Sequence, residues 1–456
     1  MKAEGTVSPA QQLATTFSGR VILPADAPYD SVRRVHNGLI DKRPAVIAEC
    51  RGVADVVDAV KSARDQGLEI AVRGGGHNVG GRATVDGGMM IDLSQMRGVH
   101  VDPATRTAQA EGGTLWKIFN RETQVHGLAT TGGVVGTTGI GGLTLGGGLG
   151  WLLPKHGMAL DNLKSVDLVL ADGKVARASA LENQDLFWAV RGGGGNFGIA
   201  TSFEFALHPI GPIVMGGLAA WPVALATDVL RLFRDLCAKA NDDLMLVSAL
   251  LTAPDGKTKV VAIGAGHFGA KGDGEKALAP IKAFKQPIMD ELGPLPYVAI
   301  NGLLDGAFPT GARNYWKSHF LNELSDDAMA AAIDAAAGCP SPMGQIVFEH
   351  FHGAATRVPV AETAYALRSS GFNTVVVSEW LDPAHDEAGI AWGKKGYAAI
   401  KPFGGSQRYV NYLTNDESLD EALTAVYGPN LPRLRQIKKK YDPDNVFHLN
   451  VNIKPA

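Results

Sequence analysis

Apolar residues cluster early in the chain in a short run, Pro44 to Cys50, and then at helical spacing across Val53–Asp65. A second apolar run, Leu68 to Val72, feeds directly into Gly74-Gly-Gly-His-Asn78, so the pattern predicts strand, helix, strand and glycine loop. Met89–Leu93 and Thr107–Glu111 predict further strands, and Thr114–His126 a helix. Ser165–Ala178 predicts a hairpin, with Val166–Leu170 and Lys174–Ala178 joined by a turn at Asp172-Gly173. The alternation over Ile199–Leu207 predicts a strand that Pro209 ends, because proline donates nothing to a ladder.

Near residue 210 the triple-glycine loops stop and the pattern changes. Helices are expected over Pro222–Ala238, with the proline tolerated in the first turn, and over Ala328–Ala337. Strand-like runs cover Leu244–Leu251, Lys259–Gly264 and Thr374–Glu379, which together predict an antiparallel α+β domain. Arg408–Tyr412 reads as a strand, 431–440 as a helix and Val446–Ile453 as a near-strand. The expected division is 1–210, 211–407 and a C-terminal segment 408–456. No internal repeat is evident.

Composition narrows the function classes. The 456 residues include 43 basic and 46 acidic side chains, a net charge of −3. That balance disfavours the electropositive stripe of a nucleic-acid binder, and the basic cluster Arg433–Lys440 reads as a solvated helix face. Cys50, Cys237 and Cys339 are widely spaced and odd in number, which supports neither a disulfide framework nor a cysteine-rich metal site. No apolar run approaches the length of a membrane span, and Met1–Thr6 lacks a leader core. A cytoplasmic protein without membrane attachment is the expectation.

Glycine is the outlier, with 56 residues concentrated at 74–81, 132–150 and 192–198. Because glycine costs folding entropy, such clusters imply tight turns or close backbone approach. In Arg73-Gly-Gly-Gly-His-Asn-Val-Gly-Gly81, successive backbone N–H groups could converge on an anion, and Arg73 could add positive charge near a pyrophosphate. The loop is neither a Walker A sequence nor a Gly-x-Gly-x-x-Gly fingerprint. Local chemistry leaves a phosphate cradle and a structural turn equally open.

Longer motifs extend this picture: Thr138-Gly-Ile-Gly-Gly-Leu-Thr-Leu-Gly-Gly-Gly-Leu-Gly-Trp151, Asp161-Asn162, Asp185-Leu-Phe-Trp-Ala-Val-Arg-Gly-Gly-Gly-Gly-Asn-Phe-Gly198, and Tyr441-Asp-Pro-Asp-Asn-Val-Phe447 followed by Asn450, Asn452 and Pro455. With the His77 loop, these motifs resemble, over about residues 40 to 455, the FAD-linked oxidases of the vanillyl-alcohol-oxidase (PCMH) fold. They are most similar to bacterial members of the berberine-bridge-enzyme-like group, which includes 6-hydroxynicotine and oligosaccharide oxidases. The resemblance implies an α+β chain with a PCMH-type FAD-binding domain and a second, antiparallel-sheet substrate domain. It further implies that His77 bonds covalently to the flavin 8α carbon. Some relatives add a second bond through a cysteine in Gly-x-Cys-x-x-x-Gly; here Val135 holds that position, so a single attachment is expected.

The resemblance also assigns residues to FAD. In the first loop these are Arg73, Gly74, Gly75, Gly76, His77, Asn78 and Gly81. The second region supplies Gly133, Thr137, Thr138, Gly139, Gly142, Leu143, Gly147, Gly148 and Trp151, followed by Asp161. Asn196, Gly198 and Ile199 come next, and Asn411 and Asn450 belong to a returning tail.

For the reaction, FAD supplies the difficult chemistry, while protein groups orient the substrate and take its proton. Tyr412 and Tyr409 are the catalytic candidates; three positions apart on a straight strand, they would face opposite ways. Ordinary packing is the competing role for each. His350 and His352 at i,i+2 lack a persuasive third metal ligand, which leaves substrate contact or packing. Glu379, Tyr365 and Trp392 complete the expected substrate pocket. The substrate is expected to be a small alcohol, hydroxylated ring or amine, with dioxygen as electron acceptor and hydrogen peroxide as product. A dehydrogenase of the same fold using another acceptor, and a non-catalytic flavin-binding protein, are the alternatives. No feature of the sequence tests the oligomeric state.

Overall fold

The computed structural model describes residues 13, 15, 17–414, 416 and 418–456. The expectation made for Met1–Thr6 falls on residues outside the described ones. The early elements form as their patterning dictates. Helix Val53–Asp65 buries Val56, Ala59, Val60 and Ala63, the i, i+3, i+4, i+7 stripe of an amphipathic helix. It packs on a four-stranded sheet ordered Arg20–Ile22, Val46–Glu49, Met89–Asp92 and Ile70–Arg73, in which the last three strands run parallel.

A second, antiparallel sheet has the order Val99–Asp102, Thr107–Glu111, Ile199–Ala206, Leu163–Val169 and Val175–Ser179. The last two strands are the expected hairpin, paired from Ser165 with Ser179 to Val169 with Val175. The glycine-rich loops connect strands within these sheets: 74–81 precedes Met89–Asp92 in the first, and 132–150 and 192–198 precede Leu163–Val169 and Ile199–Ala206 in the second.

The second half is built on an eight-stranded antiparallel sheet. Its functional part runs through Leu244–Thr252, Gln345–Phe351, Gly371–Trp380 and Arg313–Leu321, adjacent in that order. Every residue of Gly371–Trp380 is buried. Alternation explains why: Phe372 and Val376 face a core shared with helices Ala226–Cys237, Asp326–Ala337 and Asp386–Ile400, while Val375 and Val377 face Val135 of the glycine-rich half. Both faces are thus covered, and even the polar Asn373, Thr374, Ser378 and Glu379 of this strand are buried. The chain is therefore of the expected α+β class.

Three local expectations are revised. Pro222 ends a strand, and the following helix begins at Ala226 after one 3₁₀ turn. Arg408–Tyr412 contains a 3₁₀ turn, Val410–Tyr412, instead of a strand. Residues 446–453 join no sheet, because their backbone groups are taken elsewhere. Val446 and Phe447 N–H donate to the Asp442 carboxylate, and Ile453 N–H donates to Asn196 Oδ1.

The tail nonetheless belongs to the first core. Leu423, Val426, Leu434, Ile437, Val451 and Ile453 are buried with Phe187, Trp188 and Phe203, and each such side chain contributes roughly 2 kcal/mol of hydrophobic stabilisation. A fully buried ion pair secures the turn back: Lys438 Nζ donates to Asp442 Oδ2 (2.6 Å), Asn196 O (2.6 Å) and Phe447 O (2.9 Å). All three ammonium hydrogens are thereby used.

Candidate active site

One large cavity lies where the glycine loops, the tail and the antiparallel sheet converge. Gly74–Val79, Gly133–Val135, Thr138, Gly139, Gly141–Leu143 and Gly194–Asn196 line it from the first half. The tail adds Tyr409–Tyr412 and Leu449–Val451, and the sheet adds Trp316 and Glu349. The loops meet backbone to backbone, since a Cβ on Gly75 would stand 2.3 Å from the Gly139 nitrogen. At Gly142, by contrast, a Cβ would meet nothing within 4 Å, so this glycine bares its backbone to the open cavity.

His77 lines this cavity, with Nε2 lying 3.1 Å from Thr137 Oγ1. Burial, reinforced by neighbouring His36, holds its pKa down at about 3. The ring is consequently a neutral imidazole with a lone pair available to an electrophile. Asn78 Oδ1 is buried without a partner beside it.

Across the cavity, the 3₁₀ turn brings Tyr409 and Tyr412 to the same side, rings edge to face with centroids 4.9 Å apart. Residues at i and i+3 of a 3₁₀ turn eclipse one another, which is why the strand-based expectation of opposite faces fails. Tyr409 Oη accepts hydrogen bonds from Gly148 N (3.0 Å) and Asn411 Nδ2 (2.9 Å), and burial pushes its pKa up to about 12. Tyr412 Oη donates to Glu349 Oε1 at 3.1 Å. Asn373 Nδ2 donates to the other Glu349 oxygen. Burial raises Glu349 to about 7 against the opposing pull of these two hydrogen bonds, while burial and the adjacent carboxylate raise Tyr412. The phenol therefore keeps its proton, and the carboxylate is the group able to take one near neutrality.

Several expected cofactor contacts have other duties. Arg73 is bound by Asp92 and donates to the Val32 and Arg34 carbonyls, so its charge supports the loop's base rather than the cavity. Asp161 pairs bidentately with Arg368, at 2.8 Å for each contact. Trp151 is packed in a core with Tyr297 and Ile300, and Gly81 abuts Ile40. Thr137, Gly147 and Gly148 support His77 or Tyr409 from outside the lining. Asn196 does line the cavity, but its amide clips the tail through Gly193 O and Val451 O. Gly198, Ile199, Asn411 and Asn450 line the cavity.

The expected substrate residues stand apart from the lining. His350 faces the opposite side of its strand from Glu349 and stacks on His352 and Phe372. His352 Nε2 lies 3.1 Å from the Leu244 carbonyl. Trp392 belongs to the core behind the sheet, where Nε1 donates to Ala335 O. Tyr365 packs behind Tyr409, with ring centroids 6.2 Å apart. By alternation Glu379 shares the Val375 and Val377 face, but it lies at the far end of the strand, and both carboxyl oxygens are buried without partners. Burial raises its pKa to about 8, so it is predominantly neutral at neutral pH. Glu349 and Trp316 were not anticipated. The alternation Val347-Phe348-Glu349-His350 was the available signal, since whichever face holds Glu349 turns His350 away.

The chain matches the FAD binding domain family over residues 44–179 and the "Berberine and berberine like" family over 408–454. (R)-6-hydroxynicotine oxidase of Paenarthrobacter nicotinovorans is 31% identical over 98% of this chain and 99% of its own length. The solved structure of 6-hydroxy-D-nicotine oxidase from Arthrobacter nicotinovorans matches with a TM-score of 0.86 and 29% identity, over 96% of this chain and 98% of that one. Glucooligosaccharide oxidase from Acremonium strictum, whose FAD is 6-S-cysteinyl and 8α-N1-histidyl linked, matches with a TM-score of 0.87 and 27% identity, over 98% and 99%. The cavity fits FAD: glycine loops expose backbone along its length, Gly142 leaves room against its wall, and a neutral, half-buried histidine stands inside it. The chain belongs to the berberine-bridge-enzyme-like family of FAD-linked oxidoreductases, as an FAD-dependent oxidase with a PCMH-type cofactor domain.

Proposed function

We propose that His77 alone carries the FAD and that the enzyme oxidises a compact alcohol, hydroxylated ring or cyclic amine, passing the substrate's O–H or N–H proton to the Tyr412–Glu349 pair. FAD held there would supply the hydride acceptor and the route of the electrons to dioxygen, giving hydrogen peroxide. Gly74–Asn78, Gly133, Thr138, Gly139, Gly142, Leu143, Gly198, Ile199, Asn411 and Asn450 would hold it. The observation that carries the reading is the 3.1 Å hydrogen bond from Tyr412 Oη to Glu349 within the cavity.

In this arrangement Tyr412 Oη receives the substrate proton as its own proton moves to Glu349. Tyr409, its oxygen occupied by two donors, shapes the wall. Val135 supports attachment through His77 alone because it offers methyl groups where a second nucleophile would stand. Cys50 and Cys237 are buried in cores away from the cavity.

Val134, Val135 and Trp316 line the cavity with Tyr412, backed by Phe308, Val375 and Val377. The hydroxyls of a sugar would go unpaired against that wall, whereas the body of a ring or an apolar amine would not. The relative named for 6-hydroxynicotine is in keeping with this preference. The tail's burial in the first core supports the division 1–210, 211–407 and 408–456. Three unpaired cysteines support a cytoplasmic setting, and the P. nicotinovorans likeness supports a bacterial one.

The test is anaerobic flavin reduction by a panel of hydroxylated rings, cyclic amines, simple alcohols and sugars. Rings or amines should reduce the flavin fastest, and Tyr412→Phe should slow that step about 10²-fold or more with the flavin still bound. An unchanged rate in Tyr412→Phe overturns the proton path; reduction fastest by oligosaccharides overturns the substrate class.

A further inference from the structure

A second histidine lies against the first. The His36 ring stacks on His77 with centroids 3.7 Å apart and 19° between the planes. His36 is clamped from two sides. Its N–H donates to Gly76 O (3.0 Å) in the His77 loop, its carbonyl accepts from Gly311 N (2.9 Å), and its Nδ1 lies 3.3 Å from Thr310 Oγ1. The adjacent Asn37 repeats the bridge, with Nδ2 donating to both Val79 O and Asn314 O and Oδ1 accepting from Asn314 N, each at 2.8 Å. His36 is thus wedged between the His77 loop and the residues that lead into the strand Arg313–Leu321 of the antiparallel sheet. The proton path through Tyr412 and Glu349 makes no use of it.

We propose that His36 is a positioning residue for flavin attachment: its clamped ring fixes the plane of the His77 imidazole and presents a ring nitrogen to the cavity for bonding to the flavin 8-methyl carbon. This inference rests on the reading that His77 carries the flavin.

The physical reason is orientational. Torsion about the bond that turns an imidazole is broad and roughly two-fold, so an unsupported ring samples many planes. Attack requires the nitrogen lone pair to lie along the new bond, and a misoriented nucleophile loses rate steeply. Thr137 fixes one edge of His77 and His36 fixes one face, leaving a single plane. Burial lowers both pKa values, to about 3 for His77 and about 4 for His36, so two neutral rings stack without charge repulsion. In the attachment reaction one methyl C–H bond and one imidazole N–H bond break, and one C–N bond forms. The electron pair passes through the isoalloxazine to dioxygen, and the two hydrogens leave as hydrogen peroxide.

The experiment uses apoprotein reconstituted with FAD in air. Two quantities are followed: the rate at which flavin becomes resistant to acid denaturation, and the affinity for FAD before the bond forms. His36→Leu should slow attachment about tenfold or more while leaving that affinity nearly unchanged, and His36→Phe, which restores a stackable ring, should recover most of the rate. Attachment at the wild-type rate in His36→Leu overturns the proposal. Equal slowing in His36→Leu and His36→Phe overturns it too, because the nitrogen rather than the ring would then matter. A loss of FAD affinity matching the loss of attachment, or failure of both variants to fold, assigns His36 to the wall of the fold and overturns it as well. His77→Ala separates this inference from its premise: covalent flavin persisting there overturns the His77 reading itself, whatever His36 does.

Discussion

The two sides of the cavity are built by opposite strategies. On the His77 side, contiguous glycine-rich stretches bring backbone against backbone, as at Gly75 and Gly139, and side chains matter at few positions. On the Glu349 side, the wall is side chain, drawn from Trp316 and Glu349 on two strands and Tyr412 on a returning tail, with Asn373 and Val375 of the strand between those two backing it. A glycine loop can carry a cofactor because its backbone donors do not depend on distant chain. A proton path depends on which face each strand turns inward. The lesson is that cofactor and substrate specificity are separable here: the first wall can stay constant while the second is rewritten by substitution at alternating positions.

The sharpest way to break this comparison is at Glu349. Glu349→Gln keeps a hydrogen-bond acceptor for Tyr412 but removes the group that takes the proton. Flavin reduction should fall by about 10²- to 10⁴-fold, with the fraction of covalent flavin unchanged. A parallel loss of covalent flavin in rapid-mixing and denaturation assays would show that the two walls are not separable.

The contrast also governs what could be read before the structure. The His77 loop was legible because its residues are consecutive and its motif is long. The Ile199–Ala206 strand and the Ser165–Ser179 hairpin were legible because alternation and turn residues are local. Glu349 was not, since its facing depends on pairing with Asn373 across sheet partners distant in sequence. Its neighbours His350 and His352 drew attention through residue type, yet the pleat points them away. Tyr409 and Tyr412 were found, but their common orientation required the 3₁₀ turn. Arg73 was misassigned to a pyrophosphate because Asp92, which neutralises it, sits on the neighbouring strand.

A smaller effect should come from the tail. Lys438→Met strands Asp442 as a buried, unpaired carboxylate and should cost about 3–5 kcal/mol, read as a lowered denaturation midpoint. Because Asn196 and Phe447 lose their tie, flavin affinity should weaken with it. A midpoint equal to wild type would mean that the tail is held by apolar packing alone.

The smallest effect is expected at Trp392. Trp392→Phe removes the hydrogen bond to Ala335 O and should cost about 1 kcal/mol of stability, measured by denaturant titration, with the rate of flavin reduction unaltered. A slowed reductive step would return Trp392 to the substrate wall.

The role of Glu349 as final proton acceptor is tested most directly by the pH dependence of anaerobic flavin reduction. Glu349 is raised from the ordinary carboxyl range to about 7, so below that pH it is protonated and unable to accept, and above it the carboxylate is available. The rate should therefore rise with pH through about 7 in the wild type and lose that step in Glu349→Gln. A wild-type rate flat across this range, or the same rising step retained in Glu349→Gln, would contradict the account.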